Sequence, residues 1–242
     1  MKPELSIILP AYNAAHVLER SVREVTEEAK KITSNYEIII AEDGARDNTP
    51  QIASSLAKKD KHLVHLHHKE RLGRGKALSI AFNKARGKIS VYIDVDLDIS
   101  PKYIHDLVKQ INSSYDISTS SKRHPESKTS SPFLRAFLSG GFNFLVRLFL
   151  DSNLYSHQDG LKAFKTPIIK KILPLVHDNK WFWDTEVLVI AQWLNYKIGE
   201  VPVTISYGFE GTTVSSFRDT RDMFLGILKL WRRRDEFNSL TK

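Results

Sequence analysis

The sequence has no cysteine. Disulfides, thiolate zinc sites, iron–sulfur ligation and cysteine nucleophiles are therefore excluded, and any metal must be held by oxygen or imidazole. A reducing compartment permits this composition without requiring it. Long apolar runs are also missing. The most apolar stretch, Phe133 to Leu150, is 18 residues long and contains Arg135, Arg147 and the Gly140-Gly141 pair, whereas a spanning helix needs about 20 mostly apolar residues. No transmembrane segment is expected. The amino-terminal MKPELSIILPAYN holds an apolar run closed by Pro10 that is too short for a signal peptide, so the expected location is cytoplasmic. Acidic residues are in deficit: 28 Asp and Glu face 36 Lys and Arg, and the net charge of +8 favours anionic partners such as nucleotides, polyprenyl phosphates, phospholipid surfaces or nucleic acid. Internal repeats and low-complexity segments are absent.

What is present is ordinary globular material, 41% hydrophobic and 26% charged over 242 residues, enough for one α/β domain. The Ile- and Val-rich runs Leu5–Leu9, Tyr36–Ile40, Leu63–Leu66 and Ile89–Ile93 predict strands. Helical periodicity follows each, at about 15–33, 49–59, 75–86 and 101–114. Four strand–helix units predict a mostly parallel, doubly wound sheet whose ligands bind at the carboxyl ends of the strands. Those ends carry Pro10-Tyr12-Asn13, Glu42-Asp43-Gly44 and Asp94 to Asp98. Residues 118–132, polar and aperiodic, read as a mobile loop. Beyond it the sequence predicts a helix at 133–150, a turn at Gln158-Asp159-Gly160 leading into Leu161–Phe164, a helix from near Trp183, a strand-like Ile198–Ile205 and a final helix at 217–234. The whole chain, 1–242, reads as a single domain, with a nucleotide-binding half over 1–117 and an acceptor half over 118–242.

Asp94, Asp96 and Asp98 alternate just past a strand, and three clustered carboxylates repel one another unless a cation sits among them. A hard divalent ion that keeps waters and substrate phosphates as its other ligands resolves the conflict; a solvated acidic turn capping the next helix is the bland alternative. The motifs Ser6–Asn13 (SIILPAYN), Ala41–Thr49 (AEDGARDNT), Leu72–Leu78 (LGRGKAL) and Asp94–Pro101 (DVDLDISP), in this order, resemble the nucleotide-sugar half of family-two glycosyltransferases, inverting enzymes of GT-A fold. Downstream, Ser121-Lys122-Arg123, Arg135 with Ser139, Gln158–Phe164, Trp183–Ala191 and Tyr196–Val203 resemble the branch that glycosylates polyprenyl phosphates, closer to dolichyl-phosphate glucose synthases than to mannose synthases. The resemblance runs from about 5 to 232.

It implies that Pro10, Tyr12 and Asp43 hold the nucleotide base and ribose, that Asp94 contacts the donor, and that Asp96 and Asp98 hold Mg²⁺ or Mn²⁺. Gly73-Arg74-Gly75 is similar to the family's Gly-Lys-Gly, which puts Arg74 beside a donor phosphate. The sequence departs from the family at Ala14, where a Glu is usual, at Ser156-His157, where an aspartate is expected, and at Gly211–Val214. A phosphate acceptor is already an anion and needs cations rather than a base, for which Arg123, Arg135 and Ser139 are the candidates. A hydroxyl acceptor would need a base, and Asp184 then leads; as an alternative Asp184 simply caps its helix.

The apolar faces of 133–150 and 217–234, the latter with a basic opposite side, suit peripheral contact with a membrane or ordinary packing on the sheet. Alternation puts His65 and His67 on one strand face without an obvious carboxylate partner, which reads as structural or exposed. Three functions remain in view: metal-dependent transfer of a sugar from a nucleotide sugar to a polyprenyl phosphate at the cytoplasmic membrane face, a soluble family-two transferase acting on a saccharide hydroxyl, and a basic nucleotide- or RNA-binding module. No RNA-binding aromatic motif is present, so nucleic acid is not an expected partner.

Overall fold

The computed structural model describes residues 2–130, 133–206 and 217–238, of which 133–135, 206, 217–220 and 238 are described by backbone alone. Each early apolar run becomes a strand and each helical-period segment packs back on the sheet: β1 (Leu5–Ala11), α1 (Leu18–Ile32), β2 (Tyr36–Asp43), α2 (Thr49–Lys59), β3 (Leu63–His68), α3 (Arg74–Lys84), β4 (Ile89–Ile93) and α4 (Ile104–Ser113), the last preceded by a 3₁₀ turn at Pro101–Tyr103. The second half adds β5 (Ile117–Ser121), β6 (Lys128–Ser130), α5 (Phe133–Leu150), β7 (Leu161–Lys165), α6 (Thr166–Ile172), α7 (Trp183–Trp193), β8 (Ile198–Pro202), β9 (Thr204–Ser206), α8 (Phe217–Arg232) and α9 (Arg234–Asn238).

Seven strands form one sheet in the order β3-β2-β1-β4-β7-β5-β8, and β6 pairs with β9 beside it. β7 runs antiparallel to both β4 and β5, while the other pairs are parallel, so the sheet is mostly parallel as expected. Strand alternation divides the core. Ile8, Ile39 and Tyr92 face Phe82, Phe164, Trp183 and the helices α3, α5, α7 and α8. Ile7, Leu9, Ile38, Ile40, Val91 and Ile93 face α1, α2 and α4. Both sheet faces are covered, which explains why these strands read as continuous apolar runs.

The loop expected over 118–132 is corrected. Its first part is β5, buried throughout between β7 and β8, and Lys128–Ser130 is a short strand. Ser118–Ser121 hid this strand from a search for apolar runs, because its polar side chains are buried and three of its four hydroxyls, those of Ser118, Thr119 and Ser120, bond to protein rather than to solvent. Ser118 donates to Gln110 Oε1 at 2.7 Å and Ser120 donates to the Leu161 carbonyl at 3.0 Å. Insertion of β7 has a consequence for the site. Because it is antiparallel, its start at Leu161 lies opposite Ile93, so the Gln158-Asp159-Gly160 turn sits at the carboxyl end of β4.

Candidate active site

The carboxyl ends of β1, β2 and β4, the entry to β7, the end of β5 and the start of α7 all open onto one edge of the sheet. At its centre is a buried ionic network. Asp94 follows β4, and its amide donates to the Gly160 carbonyl at 2.8 Å. Gly160 packs so closely that any β-carbon there would collide with the Asp94 carboxylate, so the glycine is required by contact rather than by backbone angle. Arg74, at the start of α3, donates to Asp94 Oδ1 at 2.7 Å and to Asp184 Oδ2 at 2.5 Å, and its guanidinium lies over the Tyr92 ring at 5.2 Å. Asp184, in the first turn of α7 and 2% exposed, also accepts from Lys162 at 2.8 Å and from the Tyr92 hydroxyl. Lys162 is fully buried and donates further to the Asp159 carbonyl at 2.6 Å.

Electrostatics follow from this geometry. Burial works to raise the Asp184 carboxyl, but Arg74 and then Lys162 outweigh it and hold Asp184 below the ordinary value. Burial dominates at Asp94 and raises it despite Arg74. For Lys162 burial lowers the ammonium, opposed by Asp184. Asp184 is thus a buried anion clamped by two cations and a phenol, an arrangement that fixes positions and has little affinity for a proton.

Of the residues expected to hold the nucleotide, Pro10 and Tyr12 lie half-buried at the end of β1, and the Arg71 guanidinium covers the Tyr12 ring at 4.0 Å. Asp43 is buried and accepts from the Leu72 and Gly73 amides at 2.7 and 3.0 Å, which ties the end of β2 to the loop before α3. Gly44, at φ 65°, lets the Glu70–Arg71 backbone pass directly over it. Glu42 faces the other way, and the histidine expectation is corrected here: a carboxylate partner exists, because His67 Nδ1 bonds Glu42 Oε2 and His65 Nε2 lies 3.8 Å from the same oxygen. The face shared by His65 and His67 is as predicted; the partner was invisible because it belongs to the neighbouring strand. Burial lowers the His65 imidazole although Glu42 opposes the shift.

Asp96 and Asp98 stand on the turn after Asp94, separated by Leu97 at φ 57°, and both carboxylates are exposed. The Asp98 amide donates to Asp96 Oδ1 at 3.3 Å. Desolvation by the surrounding protein and, next, repulsion from Asp98 raise the Asp96 carboxyl. Two hard oxygen donors that repel each other and open to solvent suit Mg²⁺ or Mn²⁺ with water and phosphate oxygens completing the shell. Asp94 is taken up by Arg74, so the turn divides the three carboxylates between a cation of the chain and an open pair.

Of the residues expected to meet the acceptor, Arg123 follows β5. It donates to the Ala136 carbonyl at 2.7 Å and to Ser139 Oγ at 3.4 Å, both on α5. Lys122, its neighbour, pairs with Asp159 at 3.0 Å and so links this corner to the β7 turn. The side chain of Arg135 lies outside the described residues. Asn143, part of the polar stripe of α5, turns inward, where it accepts from His157 and donates to the Ser139 carbonyl. The apolar residues of α5 divide: Phe142, Val146 and Leu150 are buried in the core, whereas Phe137 is 67% exposed, Leu138 53%, Phe144 57% and Leu148 63%. Phe224, Leu225, Leu228 and Trp231 of α8 are also exposed, and the two helices meet edge-on at Phe142 and Phe224. No helix of the described residues is long and apolar enough to cross a membrane.

Sequence reasoning missed Lys162, Arg71 and Gly160 as parts of this edge. Only the alternation in Leu161–Lys165 carried a signal: a lysine amid apolar residues of a buried strand must find an anion.

The profile of the family described as Glycosyl transferase family 2 matches residues 6–173. Glycosyltransferase AglD of Haloferax volcanii is 41% identical over 232 residues, which cover 94% of this chain and 37% of that protein. The dolichyl-phosphate beta-glucosyltransferase of Dictyostelium discoideum is 28% identical over 240 residues, covering 93% of this chain and 73% of the relative. For the Saccharomyces cerevisiae protein of the same name the identity is 28%, with 83% of this chain and 66% of the relative covered. Among solved structures, glucosyl-3-phosphoglycerate synthase of Mycobacterium tuberculosis, crystallised with Mn²⁺ and uridine-diphosphate-glucose, matches with a TM-score of 0.69 at 15% identity over 95% of this chain and 79% of that one. That likeness is one of fold, and it matches the mostly parallel α/β sheet found here. With its motifs gathered on one sheet edge and the profile covering well over half its length, the chain, which spans little more than a third of the Haloferax volcanii relative, belongs to glycosyl transferase family 2.

Proposed function

We propose that the chain transfers a sugar, glucose by the names of several relatives, from a nucleoside diphosphate sugar to a polyprenyl phosphate of dolichyl type, as a peripheral protein at the cytoplasmic membrane face. The observation that carries this reading is the placement of Arg123. Its guanidinium is anchored on α5 beside Ser139 and next to an outward apolar surface, where an anionic head group meets a cation while its lipid chain lies along Phe137, Leu138 and their neighbours. Pro10, Tyr12 and Asp43 bound the end that takes the base and ribose, Asp94 and Arg74 face the donor, and Arg135 joins Arg123 on the acceptor side.

In the reaction an oxygen of the acceptor phosphate attacks the anomeric carbon on the face opposite the diphosphate. The new bond joins that oxygen to the sugar, the bond to the diphosphate breaks, and its electron pair leaves with the nucleoside diphosphate. No proton must be removed from a phosphate monoester anion, so no general base is required. Mg²⁺ or Mn²⁺ held by Asp96 and Asp98 supplies neutralisation of charge on the leaving diphosphate. The lowered Asp184 carboxyl supports the same reading, because a base for a hydroxyl acceptor needs a proton affinity that Arg74 and Lys162 suppress. Here Asp184 is a positioning residue that holds Arg74 against Asp94.

The test is a panel of nucleotide sugars assayed with a short polyprenyl phosphate and, separately, with saccharide acceptors, each with Mg²⁺ and with excess EDTA. Transfer of glucose to the lipid phosphate, lost in EDTA and in Asp96→Asn, is the expected result. Transfer to saccharides alone overturns the acceptor, and full activity in EDTA overturns the metal.

A further inference from the structure

The carboxyl end of β2 and β3 carries a second group of ligating side chains, away from Asp96 and Asp98. The register pairs Glu42 with His67 and Ile40 with His65, so both imidazoles and the Glu42 carboxylate share one face at the sheet's edge strand. One atom from each, the two ring nitrogens and a carboxylate oxygen, all lie within 4.8 Å of one another, and this is the one such group of three among the described residues. His65 Nε2 is buried and has no hydrogen-bond partner there, although it points toward the fully buried Glu42 carboxylate. Leaving a buried ring nitrogen unsatisfied beside a carboxylate is costly.

We propose that Glu42, His65 and His67 form a cation site for Zn²⁺ or a similar imidazole-preferring divalent ion, distinct from the donor-side carboxylates. Two imidazoles and one carboxylate are the donor set of an open tetrahedral zinc site, in which water takes the fourth position, whereas Mg²⁺ favours oxygen alone. Bonds of about 2.0–2.2 Å from a tetrahedral ion place its ligand atoms roughly 3.3 Å apart. The 3.8 Å between His65 and Glu42 is already close to that spacing. His67, now in direct contact with Glu42, must swing outward by about an ångström, and a side chain 48% exposed has the room. The other Glu42 oxygen accepts the Ala45 amide at 2.5 Å. That bond orients the carboxylate and links the ion to the Asp43–Ala45 turn, so binding clips the base-side turn to the edge strand β3.

The site lies on β2 and β3, with β1 intervening before β4 and its Asp96 and Asp98, which makes the two separable. The experiment uses the full chain stripped with EDTA and titrated with Zn²⁺ by calorimetry, and with Co²⁺ by visible absorption, in the parent, in His67→Ala, in His65→Gln and in Asp96→Asn/Asp98→Asn. The expected result is one saturable Zn²⁺ equivalent and a tetrahedral-type Co²⁺ band in the parent and the double variant. Each histidine variant should weaken binding by about tenfold or more. Millimolar Mg²⁺ should not compete. Zn²⁺ should raise Tm in the parent but not in His67→Ala, a change at an exposed residue that leaves the fold intact. Absence of saturable binding in the parent, binding indifferent to both histidine variants, or binding lost with Asp96 and Asp98 would each overturn the proposal.

Discussion

Asp184→Asn is the substitution whose consequence the structure changes most. As a helix cap its loss would cost about 1 kcal/mol; as a general base it would leave stability untouched. The geometry predicts something else. Asp184 is 2% exposed and accepts from Arg74 at 2.5 Å, from Lys162 at 2.8 Å and from Tyr92. An asparagine keeps one oxygen for these donors, turns an N–H against another, and removes the anion from between two cations. Removing one partner of a buried ion pair costs about 3–5 kcal/mol, because the remaining charge is left without compensation. For a chain of this size that corresponds to a fall in Tm of about 6–20 °C. Lys162→Met combined with Asp184→Asn removes the fully buried ammonium along with the anion and should recover part of the loss, giving a coupling energy of about 1–3 kcal/mol in a double-mutant cycle. Thermal or urea unfolding of the four proteins measures it. If Asp184→Asn is as stable as the parent to within about 0.5 kcal/mol, the network does not hold this edge together and the reasoning fails. The same loss bears on activity assays, since any fall in turnover must be measured at a temperature where the variant remains folded.

Two further predictions rest on other parts of the molecule. His157 is fully buried, bonded to Asn143 and Ser152, and pushed down to about 3 by burial and then by Lys162. Its folded value lies below the unfolded value of about 6.5, so the unfolded chain takes up the proton first; stability is complete above that pH and falls as pH drops from 6.5 toward 3, by about 2 kcal/mol at pH 5. Urea unfolding of parent and His157→Gln across this window should show a shallower pH slope in the variant, and equal slopes would refute the assignment. The exposed band of α5 and α8 predicts binding to anionic vesicles at low salt that Phe144→Ser/Leu148→Ser weakens by about tenfold or more, since each side chain contributes roughly 1.5–3 kcal/mol when buried, with Tm unchanged. Failure of the parent to sediment with vesicles at low salt would remove the membrane contact.

Period and composition in the sequence were sufficient for the first half of the fold. Leu5–Leu9, Tyr36–Ile40, Leu63–Leu66 and Ile89–Ile93 are strands because β-branched runs flanked by helical periods have few other ways to bury themselves, and their carboxyl ends had to carry Tyr12, Asp43 and Asp94 to Asp98. The broad apolar face of 133–150 was legible from its helical period, but the sequence left open whether it met a membrane or the sheet, and the structure divides it between buried Phe142, Val146 and Leu150 and exposed Phe137, Leu138, Phe144 and Leu148. Tertiary structure alone decided the rest. Ser118–Ser121 is a buried strand because β7 and β8 flank it and bonds to Gln110 and Leu161 take up the Ser118 and Ser120 hydroxyls, none of which leaves a local pattern. Arg74, Asp94, Lys162 and Asp184 come from four separate elements, and their charges become one network only when β7 inserts antiparallel beside β4. His65 and His67 announced their shared face through alternation, but Glu42 joins them through strand register, and register between distant segments is fixed by packing rather than by either segment's own sequence.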